Sequence, residues 1–465
     1  MAQRAPEYSY YDIQIRLHGA TQIGAMNIAV KNITSREHGM QGDINNHDKK
    51  NFIWNMVAGL INASEAVILL AVVSRTNGVF DAGVLTIAFA VANLLATIGK
   101  YGIRSFQVTD VEGQFTFNTY FTTRIITVSV MMVIAVSYAL YGYWFKQYSW
   151  DKTCVILFVC MIYAVEAFED VFAGLYQRKG RLDVGGKIFS ARWSVILGLF
   201  SIVLICKQDL FHAALFSLLA SIICCMIFLY YTYSCIASDS IHMCFLGVKD
   251  LIIRCAPLFL STFLQFYLIN APKYAIDDYL TEDVQACYGF VAMPVFVIGL
   301  FSNFLFQPIM VKMAIQWREG DYIGFIGRIR KQIGIITIVT VFCLLGAYVL
   351  GVPLLSLLYS TDLYAYKVEL LILLLGGGFL AVVSFFCVLL TTMRKQKWVL
   401  GGYALVSVIG FLIMGRIVRM HGIMGAAVTY TTLIGGLALI LALMIAYTYH
   451  KRIHIPVQIE ICEGK

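Results

Sequence analysis

Apolar residues come in long runs along this chain, separated by short polar connections. A helix needs about 20 mostly apolar residues to cross a bilayer. Runs of that length predict spans near 51–74, 82–99, 119–145, 153–175, 188–206 and 210–236. After a polar gap, six more follow near 251–272, 284–314, 333–359, 365–392, 398–418 and 421–447. The expected fold is all-α: a polytopic membrane protein of about twelve transmembrane helices. The gap at 237–250 divides it into a first six-helix bundle, 51–236, and a second, 251–447. Residues 1–50 read as a polar, disordered extension and 448–465 as a short tail.

Composition supports the hydropathy reading. The chain is 60% hydrophobic and 13% charged, with mean hydropathy +0.77. Soluble domains are about 45–50% apolar and about 25% charged. Charge then orients the spans, because cytoplasmic loops collect Lys and Arg. Lys100, Arg104, Arg178, Lys179, Arg181 and Lys187 fall on one side, with Arg328, Arg330, Lys331, Arg394, Lys395 and Lys397. The other side holds fewer, among them Arg75, Lys146, Lys152 and Lys273. Twelve spans with both termini cytoplasmic keep this bias unbroken to the tail. Trp54, Trp144, Trp150, Trp317 and Trp398 sit near expected helix ends, where amphipathic rings prefer the headgroup level.

Several chemistries are missing from the pattern. There is no G-x-x-x-x-G-K-[ST] phosphate loop and no H-E-x-x-H. Gly376-Gly377-Gly378 lies inside an apolar run, which suits close helix packing rather than a phosphate cradle. The twelve cysteines include no C-x-x-C pair and read as small membrane hydrophobes. No cofactor, metal or catalytic residue is expected, and the basic loops carry no aromatic-interleaved nucleic-acid pattern; their charge is explained by topology and anionic lipid. The short loops argue against an embedded glycan polymerase. The polar N-terminus shows no cleavable signal, and Met40 is a candidate native start.

Polar residues inside spans need a reason, since a charge at mid-bilayer costs roughly 2.5–3.5 kcal/mol on insertion scales. Asn55, Gly59, Asn62 and Glu65 fall on one face of the first span and read either as a cavity wall or as a packing contact. Glu166, Glu169 and Asp170 share a face of the fourth. Three carboxylates repel unless cations face them, so an ion-pair network with Arg124 and Arg192 is expected across the third, fourth and fifth spans. It is either structural or the wall of a vestibule for an anionic headgroup, which an arginine fork suits. Arg75 and Lys273 end the first span of each half, placed equivalently. The candidates for substrate contact are therefore Arg75, Arg124, Arg192 and Lys273. Those for cavity or coupling roles are Asn62, Glu65, Glu166 and Asp170. Pro257, Pro294 and Pro308 predict bends in the seventh and eighth spans.

A family resemblance rests on particular residues. Asn51-Phe52-Ile53-Trp54-Asn55 opens the first span, and Ser74-Arg75, Gly78 and Asp81-Ala82-Gly83 lead into the second. Tyr101-Gly102-Ile103-Arg104-Ser105-Phe106-Gln107-Val108-Thr109-Asp110 forms the next loop. In the second half, Ala256 to Ser261 opens the seventh span, Asn270 to Asp277 closes it, and Tyr288-Gly289 with Met293-Pro294 follows. Over about 50–450 the chain resembles the polysaccharide-transporter branch of the multidrug/oligosaccharidyl-lipid/polysaccharide exporter superfamily, the O-antigen-type oligosaccharide flippases. That resemblance implies a V-shaped cavity between two bundles and alternating access in the bacterial cytoplasmic membrane. It implies a non-enzymatic carrier of an undecaprenyl-pyrophosphate-linked oligosaccharide, with membrane lipids and polysaccharide polymerase machinery as partners. By analogy, cavity cations such as Arg75, Arg124, Arg192 and Lys273 would hold the pyrophosphate. A drug/cation antiporter or a peptidoglycan-precursor flippase is the alternative on the same architecture.

Overall fold

The structure is a computed structural model that describes residues 23–110, 113–236, 240–295, 298, 312, 313 and 315–454, with side chains omitted at 23–48, 234–236 and 452–454. Seven helices make up the first half: α1 (Ile23–Thr76), α2 (Val79–Lys100), α3 (Ile103–Thr109), α4 (Phe117–Phe145), α5 (Trp150–Arg178), α6 (Leu182–Lys207) and α7 (Leu210–Ile236). The second half holds α8 (Val248–Tyr279), α9 (Glu282–Ala292), α10 (Tyr322–Gly346), α11 (Val352–Tyr359), α12 (Lys367–Thr392) and α13 (Gln396–His454). A π-helical turn, Ala347–Gly351, joins α10 to α11.

Among the described residues, nine helices are long and apolar enough to cross a membrane. α5 is equally long but carries Glu166, Glu169 and Asp170 in its apolar stretch. α13 covers two of the expected spans, folded back at Gly422, whose φ of 57° is left-handed and costs least at a residue without a Cβ. The expected eighth span begins as α9; most of the remainder, including Pro308, lies outside the described residues. Pro257 and Pro272 both sit within the continuous helix α8.

Helix starts follow ordinary chemistry. Thr116 and Ser149 accept hydrogen bonds from the backbone N–H of Thr119 (3.3 Å) and Lys152 (3.2 Å), capping α4 and α5. Asp321 does the same for α10, accepting from Gly324 N–H at 2.9 Å. Large apolar side chains such as Ile338, Phe342, Phe411 and Leu412 stay exposed on the outer faces, as lipid contact demands.

Within the first half α1 packs on α6, α2 on α4 and α5, and α5 on α4 and α7. In the second half α13 packs on α8 and α12, and α12 on α10. The halves meet mainly along α2, which lies against α8 and α9. Gly83 and Gly289 make the α2–α9 crossing possible. A Cβ on Gly83 would sit 1.9 Å from the Glu282 carbonyl oxygen, and one on Gly289 2.7 Å from Thr86 Oγ1. The up-down course of the helices puts the C-termini of α2 and α7 and the N-termini of α4 and α8 at one end, called here the basic end.

Candidate functional site: a polar cavity between the halves

The cavity starts with a break in α2. Tyr101 and Gly102 both adopt left-handed conformations (φ 47° and 68°), ending α2 and restarting the chain as α3. Lys100 and Arg104 flank that break and face α5. Lys100 Nζ lies 2.7 Å from Glu166, and Arg104 lies 3.2 Å from Asp170. Behind them, Arg124 donates to Asp170 at 2.8 Å and Arg192 to Glu169 at 2.7 Å. Arg192 also lies 3.5 Å from Glu166, whose Oε2 accepts from Trp193 Nε1 at 2.9 Å. The three α5 carboxylates thus meet four cations, one more than charge balance needs.

Exposure separates these cations. The side chains of Lys100 and Arg104 are 39% and 34% exposed, whereas Arg124 and Arg192 are at 0%. Arg124 further donates to the Gly99 carbonyl at 2.6 Å, and Arg192 to Ser221 at 3.2 Å. Protein acceptors engage both buried arginines, and neither lines any of the three cavities described next.

Two cavities open beside this cluster. One of about 310 Å³ lies between α1, α5 and α6, lined by Asn55, Gly59, Asn62, Lys100, Arg104 and the α5 carboxylates. Another, about 360 Å³, lies between the halves, where Lys100, Arg104, Glu166 and Asp170 face Leu258, Phe259, Thr262 and Phe266 of α8. It continues inward, sharing Asn62, Asn93, Tyr163 and Phe266 with a central chamber of about 460 Å³.

The chamber has a different character. Asn62, Asn93, Gln265, Asn270 and Ser384 line it with Tyr163, Tyr288, Tyr430 and Phe266. A carboxylate and an ammonium also line it, Glu65 from α1 and Lys273 from α8. Glu65 Oε1 accepts from Tyr163 Oη at 2.6 Å, while Oε2 is buried without a hydrogen-bond partner. Lys273 donates to Asn270 Oδ1 at 3.2 Å and pairs with no carboxylate among the described residues.

Arg75 lies elsewhere. It is exposed at the far end and donates to the carbonyls of Leu357 and Leu358, the latter at 2.8 Å, at the C-terminus of α11. Ser74 beside it donates to Tyr359 O at 2.8 Å.

Of the residues singled out in the sequence, Asn62, Glu65, Glu166, Asp170 and Lys273 line cavities, while Arg124, Arg192 and Arg75 hold protein groups. Lys100 and Arg104 were read only as loop charges. Asn93, Thr97 and Lys100 recur at helical intervals along α2, and the break at Tyr101 and Gly102 brings Arg104 to the same cavity wall. Asp110, at the end of the same motif, organises the loop. It accepts from the N–H of Gln114 (2.9 Å) and Phe115 (3.2 Å) and from Tyr120 Oη (2.8 Å). Burial pushes its carboxyl up, but these donors and the nearby Arg178 outweigh that and hold it below the usual Asp value.

Two helical half-bundles meeting around a polar cavity can be compared with solved transporters. An inward-facing multidrug resistance MATE family transporter of the MOP superfamily superposes with TM-score 0.65 at 10% identity, covering 84% of this chain and 95% of that one. The fold matches that of the MATE and MurJ transporters. Lipid II flippase MurJ, in an inward closed conformation, gives TM-score 0.65 at 12% identity over 86% of this chain and 89% of its own. In sequence, the chain is similar to the capsular polysaccharide biosynthesis protein CapF of Staphylococcus aureus. The two are 24% identical over 413 residues, 87% of this chain and 99% of CapF. No family model matches the sequence. The chain is thus a multi-pass membrane protein whose fold is shared with those MATE and MurJ structures.

Proposed function

We propose that this chain is a flippase that carries an undecaprenyl-pyrophosphate-linked oligosaccharide across the bacterial cytoplasmic membrane by alternating access, for surface polysaccharide biosynthesis. The observation that carries this reading is the graded cavity: a mouth edged by Lys100 and Arg104, leading to a chamber of amides, tyrosines and one lysine. Sugar hydroxyls both donate and accept, and so do the side chains of Asn62, Asn93, Gln265 and Asn270. The tyrosine and phenylalanine rings offer apolar faces to sugar rings. Full-length similarity to CapF supports a role in polysaccharide biosynthesis.

In this reading residues 51–236 and 251–447 are two bundles that rock about the 237–250 linker, with both termini cytoplasmic and the basic end inward. Lys100, Arg104 and Lys273 contact the anionic part of the substrate. Arg124 and Arg192 act one step back, holding the α5 carboxylates in place. Glu65 is the better candidate than Glu166 for a coupling proton or cation, because Glu166 is held by two cations and a tryptophan while Glu65 lines the chamber with one buried oxygen that has no hydrogen-bond partner.

That same free carboxylate favours a second reading, export of an organic cation. Reconstituted proteoliposomes separate the two. The expected result is movement of a fluorescent undecaprenyl-pyrophosphate saccharide and no movement of ethidium. Ethidium transport on a proton or sodium gradient, with no movement of the lipid-linked sugar, would overturn the flippase reading.

A further inference from the structure

At the end opposite Lys100 and Arg104 lies a second charge cluster, and this one joins the halves. Lys146 caps α4, Tyr148 lies in the turn that follows, and Lys152 opens α5; across the seam Asp277 and Asp278 end α8 and Glu282 opens α9. Lys152 Nζ lies 2.7 Å from Asp277 and 3.2 Å from Glu282. Lys146 Nζ lies 3.3 Å from Asp277 and also contacts Asp278. Tyr148 donates its hydroxyl to Asp277, and its ring lies 4.0 Å beneath the Lys152 ammonium. The core of the cluster is dry, with Lys152 5% and Asp277 1% exposed.

We propose that this Lys152–Asp277 cluster is the latch that holds the far end closed, and that it must part for the cavity to open there. The argument rests on where the charges sit. The Lys100, Arg104, Arg124 and Arg192 pairs lie within the first half, so moving one half against the other leaves them intact. The four contacts of Lys146 and Lys152 with Asp277, Asp278 and Glu282 all cross between halves. Taking ions out of water is costly, and their attraction repays this only while geometry is good. Opening the seam returns both partners to water, so the closed and open states lie close in free energy and the latch is reversible. Around it, the contacts are short-range and separable: the glycine crossing of α2 on α9, and the Ser74 and Arg75 bonds to the end of α11. The π-helical turn before α11 is a natural place for that helix to yield.

The latch rests on the alternating-access part of the proposed function, and its test needs no cargo. Hydrogen–deuterium exchange is measured on the full chain in lipid nanodiscs, following peptides over 79–86 and 279–289. Asp277→Asn is expected to speed exchange there by about tenfold or more, since it removes the buried carboxylate that Lys146 and Lys152 share, while peptides around Glu166 stay unchanged. Adding Lys152→Met to Asp277→Asn, which removes the stranded ammonium as well, is expected to bring exchange back toward wild type. Exchange in Asp277→Asn equal to wild type, or a double variant that exchanges faster than the single one, overturns the latch. If Asp277→Asn does not accumulate, Lys146→Met takes its place; it leaves Lys152 on Asp277 and should give a smaller increase in the same peptides, and no increase overturns the proposal. A seam that opens on cue in a protein that moves no lipid-linked sugar sinks the cargo assignment alone.

Discussion

The α5 cluster and the central chamber are both polar regions within an apolar chain, yet they treat charge in opposite ways. On α5, each carboxylate has a cation within 3.2 Å, and the two innermost arginines are sealed from solvent. In the chamber, among the described residues, Glu65 keeps one oxygen without a partner and Lys273 has no carboxylate. Charge matched by charge holds helices together; charge left facing an empty space is available to whatever enters it. The difference teaches that burial alone does not mark a binding residue. Arg124 and Arg192 are the most buried cations here and the least available.

Substitutions can break that comparison from the strong side first. Arg192→Met leaves Glu169 without its cation in a dry site, and losing one partner of a buried pair costs about 3–5 kcal/mol. A large drop in the unfolding midpoint in detergent, with low membrane yield, is expected; a wild-type midpoint would show the cluster to be loosely solvated. Next comes Asp110, outside the spans, where matching is by hydrogen bonds instead of cations. Because its folded carboxyl lies below the usual value, its stabilisation is complete above about pH 4, the ordinary Asp value, and fades as pH falls through the lower folded value. Asp110→Asn should cost about 1–2 kcal/mol near neutrality and flatten that acid-side loss in thermal unfolding measured against pH.

The chamber should respond in function rather than in stability. Glu65→Gln keeps an acceptor for Tyr163 and is expected to change stability by no more than about 1 kcal/mol. In proteoliposomes it should make transport insensitive to an imposed ion gradient. Lys273→Met removes a cation that no carboxylate needs, so the unfolding midpoint should stay put or rise slightly, while uptake of the lipid-linked saccharide falls by about tenfold, the scale of one charge-assisted hydrogen bond. A Lys273→Met protein that transports normally would remove the chamber lysine from the anion site.

The sequence by itself determined the all-helical membrane fold, because lipid leaves the backbone no other way to satisfy its polar groups and that demand is written as apolar run length. It also foretold the α5 network. Three carboxylates on one helix face need cations, and Arg124 and Arg192 lay at matching depth. What hydropathy could not decide was which cation faces protein and which faces space. Lys100 looked like a topological loop charge, and only the left-handed break at Tyr101 and Gly102 turns Lys100 and Arg104 along one cavity wall. Arg75 and Lys273 hold equivalent places in the two halves of the sequence, yet one binds helix-end carbonyls and the other lines the chamber. The pairing of Lys152 with Asp277 was equally hidden, since its partners lie 125 positions apart. The period of a helix fixes which residues share a face; which neighbour that face meets is set by the packing of one half against the other, and only the tertiary structure contains it.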